Sequence, residues 1–158
     1  MTTHLDELLP TAKDIMKKVA IAEAAEAAKR ETAQAKAAEE KKALIEQLSK
    51  PSGLSDEEAI RRAIVIIDRA VSNGLTEVQV YRFPNELCTD HGRAINQAEP
   101  GWETTLTGIP KEIYQLWDKY FRERGYKLKV EIVDYPGGMP GDVAMTMNWS
   151  DTEPGTTH

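Results

Sequence analysis

An α+β fold is the class this sequence predicts: a long alanine-rich N-terminal helix followed by a two-layer sandwich of about three strands with helices on one face. Three observations predict it. Neither glycine nor proline occurs from Thr11 to Ser49. Further along, TEVQVYRF, KLKVEIVDY and DVAMTMNW alternate apolar and polar residues with a period of two, as half-buried strands do. The segments before and between them repeat at 3.6 residues, the period of a helix face.

The first element is read from propensity. VAIAEAAEAAKRETAQAKAAEEKKALIEQL, residues 19–48, consists mostly of residues that lose little side-chain freedom in a helix. Asp14 with Lys18, Glu26 with Arg30 and Glu46 with Lys50 place an acid four residues ahead of a base, the favoured order on a helix surface. A helix over Thr11–Ser49 would be about 58 Å long, against about 30 Å for a small domain, so much of it must project, fold back or find another chain. Leu5, Leu8, Ala12, Ile15, Val19 and Ala22 step by three and four like the seam of a coiled coil, until Glu26 and Lys29 break it. Leu44, Ile45 and Leu48 form a second apolar cluster.

Pro51 and Gly53 end this helix. Ser55 with Glu58 has the spacing of a capping box, so a new helix is expected from Asp56, with Ile60, Ala63, Ile64, Ile67 and Val71 inward and Asn73-Gly74 as its exit. In the strand that follows, Val78 and Val80 share one face, with Gln79, Tyr81 and Phe83 on the other. The pattern predicts a short helix over 86–98, a loop over 99–108 and a stronger helix from Ile109 to Arg124 carrying Ile113, Leu116, Trp117, Tyr120 and Phe121 inward. Two last strands, with Leu128, Val130 and Ile132, then Val143, Met145, Met147 and Trp149, on their inner faces, are joined by the turn PGGMPG. The expected organisation is therefore a long helix over residues 1–50, a small α+β domain over 51–150 and a disordered tail over 151–158.

Charge and composition exclude several classes. No apolar run approaches the roughly 20 residues of a membrane span, so no membrane association is expected. MTTHLDELLP lacks a basic and an apolar region, so no secretory signal is expected. A single cysteine forms no internal disulfide, which favours a reducing cytoplasm. Residues 1–50 hold nine Lys/Arg and nine Asp/Glu, and residues 51–158 hold eleven and seventeen, so the net charge of −6 lies in the second part. An acidic surface repels phosphate backbones unless a local basic patch outweighs it.

Candidate chemistry is concentrated in LCTDHGRAIN, residues 87–96. On a helix, Cys88 and His91 meet on adjoining turns. A thiol enzyme would use Cys88 as nucleophile, His91 as base and Arg93 to stabilise negative charge. The same helix would place His91 beside Leu87 and Ile95 on its buried face, where a histidine is more often a packed residue. Two ligands from Cys88 and His91 fall short of a closed zinc site, so no metal or other cofactor is expected. Asp134 and Asp142 flank the glycine-rich turn, but their strand parity sends them to opposite sides. KYFRERGYKLK, residues 119–129, sets five basic residues against Glu123, so Arg122, Arg124, Lys127 and Lys129 are the candidates for nucleic-acid or anion binding. The leading expectation is a non-catalytic interaction or assembly protein, a homo-oligomer or partner of another protein through Leu8, Ile15, Val19, Leu44 and Leu48.

Overall fold

The computed structural model of the chain describes residues 7–150. Leu5, His4 and the tail over 151–158 expected to be disordered lie outside the described residues. Contacts divide the chain into two compact units, one ending at Leu44 and the other starting at Ile45. The first consists of most of helix α1, Ala12–Leu48, a single 37-residue helix with no buried residue. Thr11 caps its start, its hydroxyl oxygen accepting from Asp14 N–H at 3.1 Å.

In the second unit the order is α2 (Asp56–Ser72), β1 (Glu77–Pro84), α3 (Arg93–Asn96), α4 (Gly108–Leu116), β2 (Lys127–Ile132) and β3 (Asp142–Asn148). Ser55 caps α2, accepting from Glu58 N–H at 3.1 Å, while the Glu58 carboxylate turns to Arg62. The helix leaves through Gly74, whose φ of +76° suits a residue without a β-carbon. The three strands form one antiparallel sheet in the order β1-β3-β2. The chain is thus an α+β protein with a long N-terminal helix.

The core face of the sheet carries Phe83, Ile132, Val143 and Met145, which pack with Leu87, Cys88, Ile95 and Leu106. A second cluster joins Met147 to Ile67, Trp117 and Phe121. Ile45 and Leu48, from the last turn of α1, pack on the first cluster and so belong to this unit. Beyond α4 the helix widens into a π-helical stretch, Trp117–Phe121, and then tightens over Arg122–Arg124. Trp117 donates its indole N–H to the Tyr126 carbonyl at 2.9 Å, which satisfies the one polar atom of a buried ring.

The structure corrects the sequence reading of these helices and strands in four places. β1 is not regular: Gln79 pairs with Thr146 and Tyr81 with Met145, leaving Val80 as the extra residue of a bulge. The bulge reverses parity, so Tyr81 and Phe83 share the core face with Val78. β3 is buried on both faces rather than one. Ala144 and Thr146 point to the far side but are small and lie between Arg82 and Glu131, and between Gln79 and Lys129, whose longer side chains cover them. The stripe of α2 is rotated. Ile67 and Ala70 are buried, whereas Ile64 and Val71 are 44% and 53% exposed. Finally, residues 86–98 are not a helix but a 3-10 turn at Asn85–Leu87, an extended Cys88 bridged to Leu106, and the one-turn α3.

Candidate functional site

The segment 87–96 changes character at Asp90. Its carboxylate accepts from Gly92 N–H at 3.0 Å and from Ala94 N–H at 2.9 Å, a local hydrogen-bonded turn that competes with helix. Two successive left-handed residues follow, His91 at φ +55° and Gly92 at φ +82°. A β-carbon on Gly92 would lie 3.2 Å from the Ile132 side chain, so glycine is required there by space as well as by conformation. The result is a tight reversal in which Cys88 and His91 do not occupy adjoining turns of a helix.

Cys88 is 2% exposed among Phe83, Leu87 and Leu106, while His91 faces solvent, the reverse of its expected burial. Arg93 is exposed and pairs with Glu99 at 2.7 Å. Burial pushes the Cys88 thiol up from 9.0 to about 11. The nearby Asp90 charge adds to the rise, and hydrogen bonds from Thr105 and from the Gly92 N–H oppose it. A nucleophilic cysteine needs the opposite shift, toward thiolate. Cys88 is a small apolar core residue here.

Two results should follow. At pH 8 Ellman's reagent should leave native Cys88 unlabelled and label it stoichiometrically in denaturant; rapid native labelling would contradict the burial. The pH dependence has a definite sign. Below pH 9 the thiol is protonated in both states and its contribution to stability is complete. As pH rises from 9 toward 11 the unfolded thiol ionises while the folded one does not, so stability falls across that window. The urea midpoint should therefore drop more between pH 8 and pH 10.5 in the native sequence than in Cys88→Ala.

The basic segment is engaged internally. Arg122 lies 4.4 Å from the Trp117 ring centroid and pairs with Asp118 at 3.0 Å. Arg124 meets the Tyr120 carbonyl and Glu123. Lys127 donates to the Ser150 carbonyl at 2.9 Å, and Lys129 lies 3.6 Å from Glu131 and 3.9 Å from Glu77. Asp56, beside Lys119 at 3.7 Å, with Asp118, Glu77 and Glu131 are four acidic side chains from outside residues 119–129 that offset its excess of four positive charges, and such exposed pairs leave little net positive potential for phosphates.

Asp134 and Asp142 do not leave the hairpin on opposite sides. Both meet Arg82, at 3.3 and 3.0 Å, and Asp134 also accepts from Asp142 N–H at 2.6 Å. β2 ends at Ile132, so the Asp134 side chain is free of sheet parity and turns back across the hairpin. Asn85 holds the same turn by donating to the Pro140 and Gly141 carbonyls at 2.7 and 2.9 Å. The arrangement ties β1 to the β2–β3 turn. No group of three or more His, Cys, Asp or Glu side chains is gathered for a metal among the described residues.

Of the candidate contact residues, Leu8, Ile15, Val19 and Leu44 are between 41% and 62% exposed, whereas Leu48 is engaged in the core of its own unit. No helix among the described residues is long and apolar enough to cross a membrane. Fold and site together define an α+β chain with an unburied helix. Neither family models nor curated proteins nor solved structures match it.

Proposed function

We propose that the chain is a non-catalytic assembly protein that self-associates through the N-terminal part of α1 in a parallel coiled coil. The observation that carries this reading is that none of the 37 residues of α1 is buried, although Ile15 and Val19 lie on one seam of it with Ala12 and Ala22. Leu8 lies before the helix, beyond the non-helical residues 9–11 that include Pro10. Isolated helices are stabilised mainly by burying an apolar face, and a second copy offers an identical one. Charge fits the parallel arrangement. With Ala12 and Val19 at position a, Lys18 falls at g and Glu23 at e, so Lys18 of one protomer faces the partner's Glu23. The seam is short, because Glu26 ends it, which makes the association weak and concentration-dependent. A reducing cytoplasm suits a chain whose single cysteine is buried and unpaired.

The test uses the full chain. Light scattering over a concentration series should show a mass rising toward twice the 17.6 kDa of one chain. Ile15→Glu with Val19→Glu should hold it at the single-chain mass without altering the melting of the C-terminal unit. A mass that stays at one chain at the highest concentration would rule the reading out.

A further inference from the structure

A cavity of about 750 Å³ opens in the C-terminal unit between α2 and α4, above the sheet. Its volume lies within the roughly 300–1,000 Å³ of small-molecule sites. The walls are largely apolar: Ala63 and Ile66 come from α2, Ile113 and Leu116 from α4, and Val80 and Met147 from the sheet. Two irregularities of the fold border it. Val80 is the bulged residue of β1, and Lys119 and Tyr120 belong to the π-helical stretch Trp117–Phe121. Each departs from regular hydrogen bonding at some cost, and bulges and π turns concentrate where a fold shapes a site.

The cations on the lining are already paired, and its carboxylates accept hydrogen bonds. Asp56 accepts from the Tyr120 hydroxyl at 2.7 Å and lies 3.7 Å from Lys119. Glu112 accepts from Ser52 N–H at 3.2 Å, and Arg62 meets Glu58 at 3.4 Å. An anionic ligand would find no unpaired cation here, and any ionic ligand would lose its hydration on entering. Tyr81 is different. Its ring stacks on Phe83 at 6.1 Å, and its hydroxyl makes no hydrogen bond among the described residues. Burial raises its pKa, so the phenol keeps its proton and remains a donor at neutral pH.

We propose that this cavity binds an uncharged, largely apolar small molecule carrying one hydrogen-bond acceptor, with the Tyr81 hydroxyl donating to that acceptor. The apolar body displaces water from the walls of α2 and α4, and the single polar contact orients it. The site lies wholly in the C-terminal unit and is independent of the helix pairing proposed above.

The experiment is a fluorescence titration of the full chain with N-phenyl-1-naphthylamine, an uncharged apolar probe. Saturable binding at one site per chain is expected. Methyl decanoate should displace the probe, and decanoate, the same chain with a charged end, should do so less well. Ala63→Phe, which projects a ring into the cavity, should weaken probe binding at least about tenfold. Tyr81→Phe keeps the ring and removes only the hydroxyl. It should leave probe affinity within about twofold and weaken methyl decanoate about three- to tenfold, the range of one hydrogen bond. If Ala63→Phe fails to fold, the Tyr81→Phe comparison decides alone. Repeating the titration with Ile15→Glu and Val19→Glu separates the cavity from the α1 seam, since the cavity predicts unchanged binding. No saturable binding, full binding in a folded Ala63→Phe variant, loss of binding in the seam variant, or decanoate binding tighter than its ester would each overturn the proposal. So would a Tyr81→Phe variant that takes up the ester as well as the native chain.

Discussion

Replacing Phe83 by alanine should lower the unfolding free energy of the C-terminal unit by about 3–5 kcal/mol, the range for deleting a buried aromatic side chain. The ring is 1% exposed, packs with Leu87, Ile132, Val143 and Met145 and stacks on Tyr81. Against the roughly 5–15 kcal/mol that holds a typical domain, this is a large fraction. The measurement is the urea midpoint at constant slope. It also tests the bulge at Val80, because a regular β1 with Val78 inward would turn Phe83 away from the core. A loss below about 1 kcal/mol, the scale of an ordinary surface change, would mean that β1 runs without the bulge.

Gly108→Ala should destabilise the same unit by about 2–4 kcal/mol, through two effects that combine. Gly108 opens α4 at φ +58°, where a side chain costs about 1–2 kcal/mol. An added β-carbon would also press on the Leu48 carbonyl and come within 2.8 Å of Ser49 Cα. These are backbone atoms at the end of α1, so no rotamer change relieves the contact. Gly74→Ala is the comparison. It has a similar φ of +76° with nothing within 4 Å of the new carbon, so it carries the conformational cost alone. Equal losses in the two variants would show that α4 does not pack against the end of α1.

The elements differed in how far their own residues announced them. α1 follows from a run of helix-forming residues without glycine or proline, and the start of α2 from Ser55 three residues before Glu58. The inner faces of β2 and β3 follow from alternation, with Ile132, Val143, Met145 and Met147 all buried. Two errors had signals within reach. The apolar residues of β1 fall at 78, 80, 81 and 83, and that change of parity between 80 and 81 is the trace a bulge leaves. Asp90-His91-Gly92 is a turn-forming triplet inside an apparent helix, and its Asp90 hydrogen bonds override the apolar spacing of Leu87, Ala94 and Ile95. The candidate site was less legible. The pairing of Cys88 with His91 depends on a helix that does not form, and the basic run 119–129 has its excess charge offset by Asp56, Asp118, Glu77 and Glu131, all outside the run.

By itself the sequence determined the long helix α1, the helix α2, the three strands, their order and the α+β class, because propensity, capping and periodicity act between residues a few positions apart. Only the tertiary structure decided that β3 lies between β1 and β2, that Arg82 gathers Asp134 and Asp142, that Cys88 is sealed in the core, and that a cavity remains between α2 and α4. Those outcomes depend on contacts between residues some 50–60 positions apart, such as Arg82 with Asp134 and Asp142, and the energy of such a contact resides in neither residue alone.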